Sequence, residues 1–156
     1  MAVGRDEMRG VTGLLLVVNL VLYLIIIGLA SWCFNQEIDL KLFNRHFGGN
    51  TATVFVLIYA LLGGVIGASS VIAGFIHNRA WSRDSLGNAT STALISFAVT
   101  ALAFGLVCKE IALGGYRGNI LKTLEIVVIV STFFQMLYLL LLHAGMYSSR
   151  YGPAYS

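Results

Sequence analysis

The sequence predicts an all-α integral membrane protein: a four-transmembrane-helix bundle with both termini on the same, cytoplasmic side. Three observations carry this. Only 11% of the 156 residues are charged and 58% are hydrophobic, against about 25% charged in an ordinary soluble domain. The apolar residues do not alternate with polar ones but fall in four long uncharged runs. Each run is long enough, at about 1.5 Å per residue, to cross about 30 Å of hydrocarbon. Short strands of alternating polarity, the mark of an outer-membrane barrel, are absent.

The first run spans residues 11–34 and follows a basic start with Arg5 and Arg9. Its apolar stretch is too long for a cleaved signal peptide, whose core is about 7–15 residues. The segment after it, FNQEIDLKLFNRHFGGNT, alternates Leu40, Leu42, Phe43 and Phe47 with charges and reads as a short element at the membrane surface. Gly48-Gly49-Asn50 breaks it, and Thr51 is placed to cap the second helix, 51–76. That helix is rich in small residues. Gly63 and Gly67 form a G-x-x-x-G pair that Ser70 and Gly74 continue. Such strips let membrane helices approach closely, and Ala89 and Ala93, or Thr92, Ser96 and Thr100, offer the matching strip on the third helix. Intramolecular packing is the plainer use of the strip; a homo-oligomer interface is the other.

The short turn WSRDSLGNAT leads into the third helix, 86–108. Trp81 reads as an interfacial anchor, Arg83 and Asp84 as a pair, and Asp84 or Ser85 as a cap. Arg79-Ala-Trp-Ser82 has the form of a basophilic kinase site, which makes Ser82 a candidate for phosphorylation; a solvated turn residue is the plainer reading. Asn88, in an N-x-T sequon, is expected to pack with Thr92 and Ser96 against the second helix. LGGYRGN breaks the chain before the fourth helix, 124–147, and the Tyr-rich tail follows.

Basic residues do not decide the orientation by number. Arg5, Arg9, Arg79, Arg83 and Arg150 lie on the terminal side, and Lys41, Arg45, Lys109, Arg117 and Lys122 opposite. Arg5 and Arg9 flank the first helix, which usually dominates, and the opposite loops are longer. The termini are therefore placed in the cytoplasm. Cys33 and Cys108 end helices one and three on the same side; a disulfide is open there, and two free thiols are the alternative.

No charged residue lies deep in a run. The ionisable residues gather at the ends, Glu110, Arg117, Lys122 and Glu125 among them. The deepest polar groups are Asn19, Tyr23, Tyr59, Thr100, Ser131, Gln135 and Tyr138. An interhelical hydrogen bond is the ordinary use of such an amide as Gln135; lining a polar path is the other. His143 reads as interfacial. Three His and two Cys show no metal-ligand spacing. Walker, G-x-S-x-G and G-x-G-x-x-G motifs are missing. The chain is read as a non-enzyme, with no cofactor and no metal. A net charge of +3 without a basic stripe excludes nucleic acid as a partner; the lipid bilayer is the expected one.

One segment is distinctive. HNRAWSRDSLGNATSTALISFAVTALAFGLVCKEI resembles the plant abscisic-acid-induced plasma-membrane polypeptide family, first named from wheat. The basic start, LGGVIGASSVIAG in helix two, GYRG before helix four and the short Tyr-rich tail agree with it, so the resemblance covers nearly the whole chain. It implies a four-helix multi-pass protein of the plant plasma membrane, associated with abscisic acid signalling, seed dormancy, and drought, salt and cold tolerance, and proposed in some members to carry abscisic acid into cells. No family binding site carries over. If the chain is such an importer, Arg117, Lys122 or Lys109 would attract the anion, Asn19, Tyr23, Tyr59 and Gln135 would line a path, and Arg79 or Arg83 would stand at the exit. Against this, helices rich in small residues pack too tightly for an obvious cavity. The second reading is a structural or signalling tetraspan that stabilises or organises the membrane during dehydration, cold or salt stress.

Overall fold

The computed structural model describes residues 3–42, 49–80 and 82–147. They form four helices: α1 (Val3–Leu42), α2 (Thr53–Ala80), α3 (Arg83–Leu113) and α4 (Asn119–Tyr147). Residues 1–2, Trp81, the part of the first loop at 43–48 and the tail from residue 148 lie outside the described residues, as do the side chains of residues 3–6, 8, 40–42, 83 and 145–147. All four helices are long and apolar enough to cross a membrane. The cause is elementary: hydrocarbon offers no partner to backbone N–H and C=O groups, so a crossing segment bonds them within itself.

The helices outrun the charge-free stretches that located them. α1 continues through Gln36-Glu37-Ile38-Asp39 to Leu42, so the residues from Glu37 to Leu42 extend a helix instead of forming a separate surface element. α3 runs on past Cys108 to Leu113, and α4 opens at Asn119, before Lys122 and Glu125. A charge ends the hydrocarbon-facing stretch but does not end hydrogen bonding along a helix. Hydropathy therefore marks the membrane slab and caps mark the helix.

Each helix packs on its neighbours in sequence, and α4 closes back on α1. The buried positions show how. On α1 they are Thr12, Leu16, Asn19, Tyr23, Ile26, Ala30 and Cys33; on α3, Leu86, Ala89, Ala93, Ser96, Thr100, Ala103, Val107 and Glu110. α4 buries Leu121, Leu124, Val128, Ser131, Gln135, Tyr138 and Leu142. All three sets alternate steps of three and four, the spacing of left-handed, coiled-coil-like packing. The outward faces carry Leu14, Val21, Phe55, Leu62, Ile95, Leu102, Ile126 and Leu140. Lipid, not water, surrounds such a surface, and several polar groups turn inward.

The small-residue strip of α2 is divided among three neighbours. A Cβ on Gly63 would meet Thr100 of α3 at 3.3 Å, and one on Gly64 would meet Ile27 of α1 at 2.7 Å. A Cβ on Gly67 would fall inside the Tyr23 ring, and one on Gly74 would strike Leu16 and the Tyr138 hydroxyl. Thus Gly67 and Gly74 seat tyrosines of α1 and α4. Ala89 and Ala93 are fully buried on α3, and Ser70 is buried on α2.

The helix starts also differ from expectation. Asn50, not Thr51, organises the entry to α2. Its Oδ1 accepts the Ala52 N–H at 2.9 Å, its N–H donates to Thr53 Oγ1 at 2.9 Å, and Thr51 is exposed. Ser82, not Asp84 or Ser85, is the N-cap of α3. The Ser85 N–H donates to Ser82 Oγ, and the Ser82 N–H donates to Ser85 Oγ, both at 3.2 Å. This capping box uses Ser where Glu or Gln is usual. Asn88 points outward and does not pack on α2.

Candidate functional site

Polar side chains run down the inside of the bundle in three groups. The first closes the end that carries the two longer loops. Glu110 of α3 is fully buried, and its Oε1 accepts a hydrogen bond from Thr53 Oγ1 of α2. Glu125 of α4 is buried and pairs through Oε2 with Arg117 Nη1 at 3.0 Å. Asn50 ties the loops together: its Nδ2 donates to the carbonyls of Glu110 and Gly114, each at 3.0 Å. The Gly49 N–H adds a bond to the Tyr116 carbonyl at 2.6 Å. Gly49, Gly114 and Gly115 have φ of 84°, 69° and 108°, a left-handed region that a side chain would strain.

Glu110 and Glu125 were expected as interfacial charges; the structure buries both. The signal was present. The three-four spacing of α3 passes through Val107 to Glu110 without a break. Glu125 follows Leu124, a core position of α4.

The second group sits at mid-depth. Tyr59, Thr100 and Ser131 line a cavity of about 10 Å³ together with Ile26, Gly63 and Gly64, space for about one water. The third group lies nearer the terminal end. Tyr23 and Ser96 share a hydrogen bond of 3.3 Å, and Gln135 Nε2 donates to the Ala93 carbonyl at 3.2 Å. Between the Tyr23–Gly67 and Leu16–Gly74 contacts lie Asn19 on α1 and Ser70 on α2, both buried. Both Asn19 amide atoms, Ser70 Oγ and Gln135 Oε1 have no hydrogen-bond partner among the described residues. Such groups are costly to bury in lipid.

The structure thus brings Asn19, Tyr23 and Gln135 into neighbouring layers, with Tyr59 farther along the same interior. Gln135 does form the interhelical bond. Lys122 and Lys109 are exposed, and Arg117, expected as an open anion attractor, is taken by Glu125. Cys33 is buried, Cys108 points outward, and both are free thiols, so the disulfide is not formed. Their helix faces differ, which equal depth in sequence could not reveal. At the terminal end His77 is buried and shares a 2.9 Å bond with Ser85 Oγ; Arg79 is exposed. Half-buried His143 bonds the Leu139 carbonyl through Nδ1 at 3.3 Å. No group of three or more His, Cys, Asp or Glu among the described residues forms a metal-binding set.

Residues 17–145 match the AWPM-19-like family. Membrane protein PM19L of Oryza sativa subsp. japonica is 49% identical over 137 residues, covering 88% of this chain and 79% of that protein. No solved structure matches the chain.

Proposed function

The chain belongs to the AWPM-19-like family, and from that premise we propose that it is a multi-pass protein of the plant plasma membrane, acts in the abscisic acid and abiotic-stress response, and mediates abscisic acid uptake into cells. The family resemblance names the ligand. The observation that supports passage is the succession of polar groups inside the bundle, with unpartnered buried atoms at Asn19, Ser70 and Gln135. In this reading the termini face the cytoplasm, and exposed Lys109 and Lys122 present positive charge to an arriving carboxylate, joined by Arg117 once it leaves Glu125. The amides and hydroxyls then offer donors and acceptors to its polar atoms. It is neither an enzyme nor a cofactor protein in this reading; its work is recognition and passage.

The arrangement described is closed. A cavity of about 10 Å³ is far below the roughly 300 Å³ at which ligand pockets begin. Uptake requires the helices to part, with Arg117 leaving Glu125, or a homo-oligomer to frame a wider path. The second reading, a non-transporting structural or signalling tetraspan, draws support from the same closeness, because Gly67 and Gly74 leave no room beside the tyrosines. Labelled abscisic acid flux into proteoliposomes holding only this protein separates the two. Uptake above that of empty liposomes, reduced in Gln135→Ala, is expected. Flux equal to empty liposomes leaves the tetraspan.

A further inference from the structure

Glu110 and Glu125 come from different helices, and each is more than nine-tenths buried. They lie within electrostatic reach of one another. Each keeps one carboxylate oxygen with no partner, Oε2 of Glu110 and Oε1 of Glu125, and Arg117 Nε is buried and unpartnered beside them. Among the described residues the groups that face this cluster are few. α1 contributes the buried Cys33 thiol, α2 the Thr53 hydroxyl, and the α3–α4 loop Arg117. Thr53 is neutral, and Arg117 is the cluster's cation among the described residues. Among the described residues two carboxylates face one guanidinium, which leaves one negative charge uncompensated inside a low-dielectric bundle, and a buried site does not tolerate that. Glu125 is already paired with Arg117, so the conflict falls on Glu110, whose only side-chain partner among the described residues is the Thr53 hydroxyl, and a proton on that carboxyl resolves it. One proton makes the cluster neutral and supplies a donor for an oxygen that has none.

We propose that Glu110, beside the Arg117–Glu125 pair, is a proton-binding site that latches the loop end of the bundle. The proton enters from water on the loop side and returns there; no electron moves and no bond other than O–H is made or broken. Loaded, the cluster is neutral and holds α2, α3, α4 and the loop together through Thr53, Glu110, Arg117 and Glu125. Unloaded, its excess charge draws water in and loosens the end. As a site this stands on the cluster's geometry alone; as the step that couples flux to a proton gradient it rests on the uptake reading.

Infrared difference spectroscopy of the full chain in lipid nanodiscs tests the site. The expected result at neutral pH is the carbonyl stretch of one protonated carboxylic acid per chain, lost in Glu110→Gln and in Glu125→Gln and retained in Asp84→Asn, an exposed control. In Arg117→Gln the intensity should double, because the excess charge rises to two. A wild-type protein without the band, or a band of equal strength in both Gln variants, overturns the proposal. A second readout does not depend on the band. With Cys108→Ser in place, Cys33 should become several-fold more accessible to a water-soluble methanethiosulfonate as pH rises. Glu110→Gln should keep it protected throughout. Equal pH response in the two proteins also overturns the latch. The flux assay keeps the readings apart: no wild-type flux ends the uptake reading and leaves the infrared result to judge the site. Wild-type flux whose proton-gradient dependence survives Glu110→Gln overturns the coupling.

Discussion

The loop end and the terminal half of the same bundle solve the burial of polar groups in opposite ways. At the loop end the groups are charged and wired: Glu125 to Arg117, Glu110 to Thr53, and Asn50 across two loops. Near the terminal end the groups are neutral, and Asn19 makes no hydrogen bond among the described residues. Depth accounts for the difference. Charge is bearable near water and where partners come from several helices. Deeper in hydrocarbon only uncharged amides and hydroxyls persist. An unpartnered buried group costs stability at either end, the Asn19 amide and the Glu110 Oε2 alike.

Breaking one partner on each side sharpens this contrast. Arg117→Ala should have the largest effect, about 3–5 kcal/mol, because it strands Glu125 in a buried site; reversible unfolding in mixed micelles measures it, and a loss below about 1 kcal/mol would mean that a proton or water replaces the guanidinium at little cost. Gly67→Val comes next. It pushes side-chain carbon into the Tyr23 ring, and overpacking of this kind costs about 1–3 kcal/mol; the Tyr23→Ala background should recover part of it. Ser82→Ala removes the α3 cap and should cost about 1 kcal/mol, seen as faster hydrogen exchange at the start of α3 alone. Asn19→Leu should have the smallest effect on stability, near zero or slightly stabilising, since it removes an amide that has nothing to bond. A clear loss there would instead reveal a bound water or ligand.

Much of this was legible. The four crossings follow from charge-free runs, and the run lengths place Asn19, Tyr23 and Gln135 deep. The inward position of each follows from three-four spacing. The partner of each glycine did not follow. G-x-x-x-G predicts close approach but not whether a backbone or a tyrosine ring fills the space, and Tyr23 and Tyr138 lie far from Gly67 and Gly74 in sequence. Glu110 and Glu125 were misread for a different reason. Position near a helix end suggests an interfacial charge; the core spacing of α3 already puts Glu110 inside, whereas Glu125 falls one residue past the core position Leu124.

By itself the sequence determined the number of helices, their lengths to within a few turns, their membrane setting and the family. All of these rest on local composition and on the rule that a backbone in lipid must bond within its own helix. Only the tertiary structure decided that Cys33 and Cys108 stay apart and that Arg117 is already paired with buried Glu125. Such pairings depend on how four helices are rotated about their axes. That rotation is set by packing across the bundle, where residues distant in sequence compete for the same space.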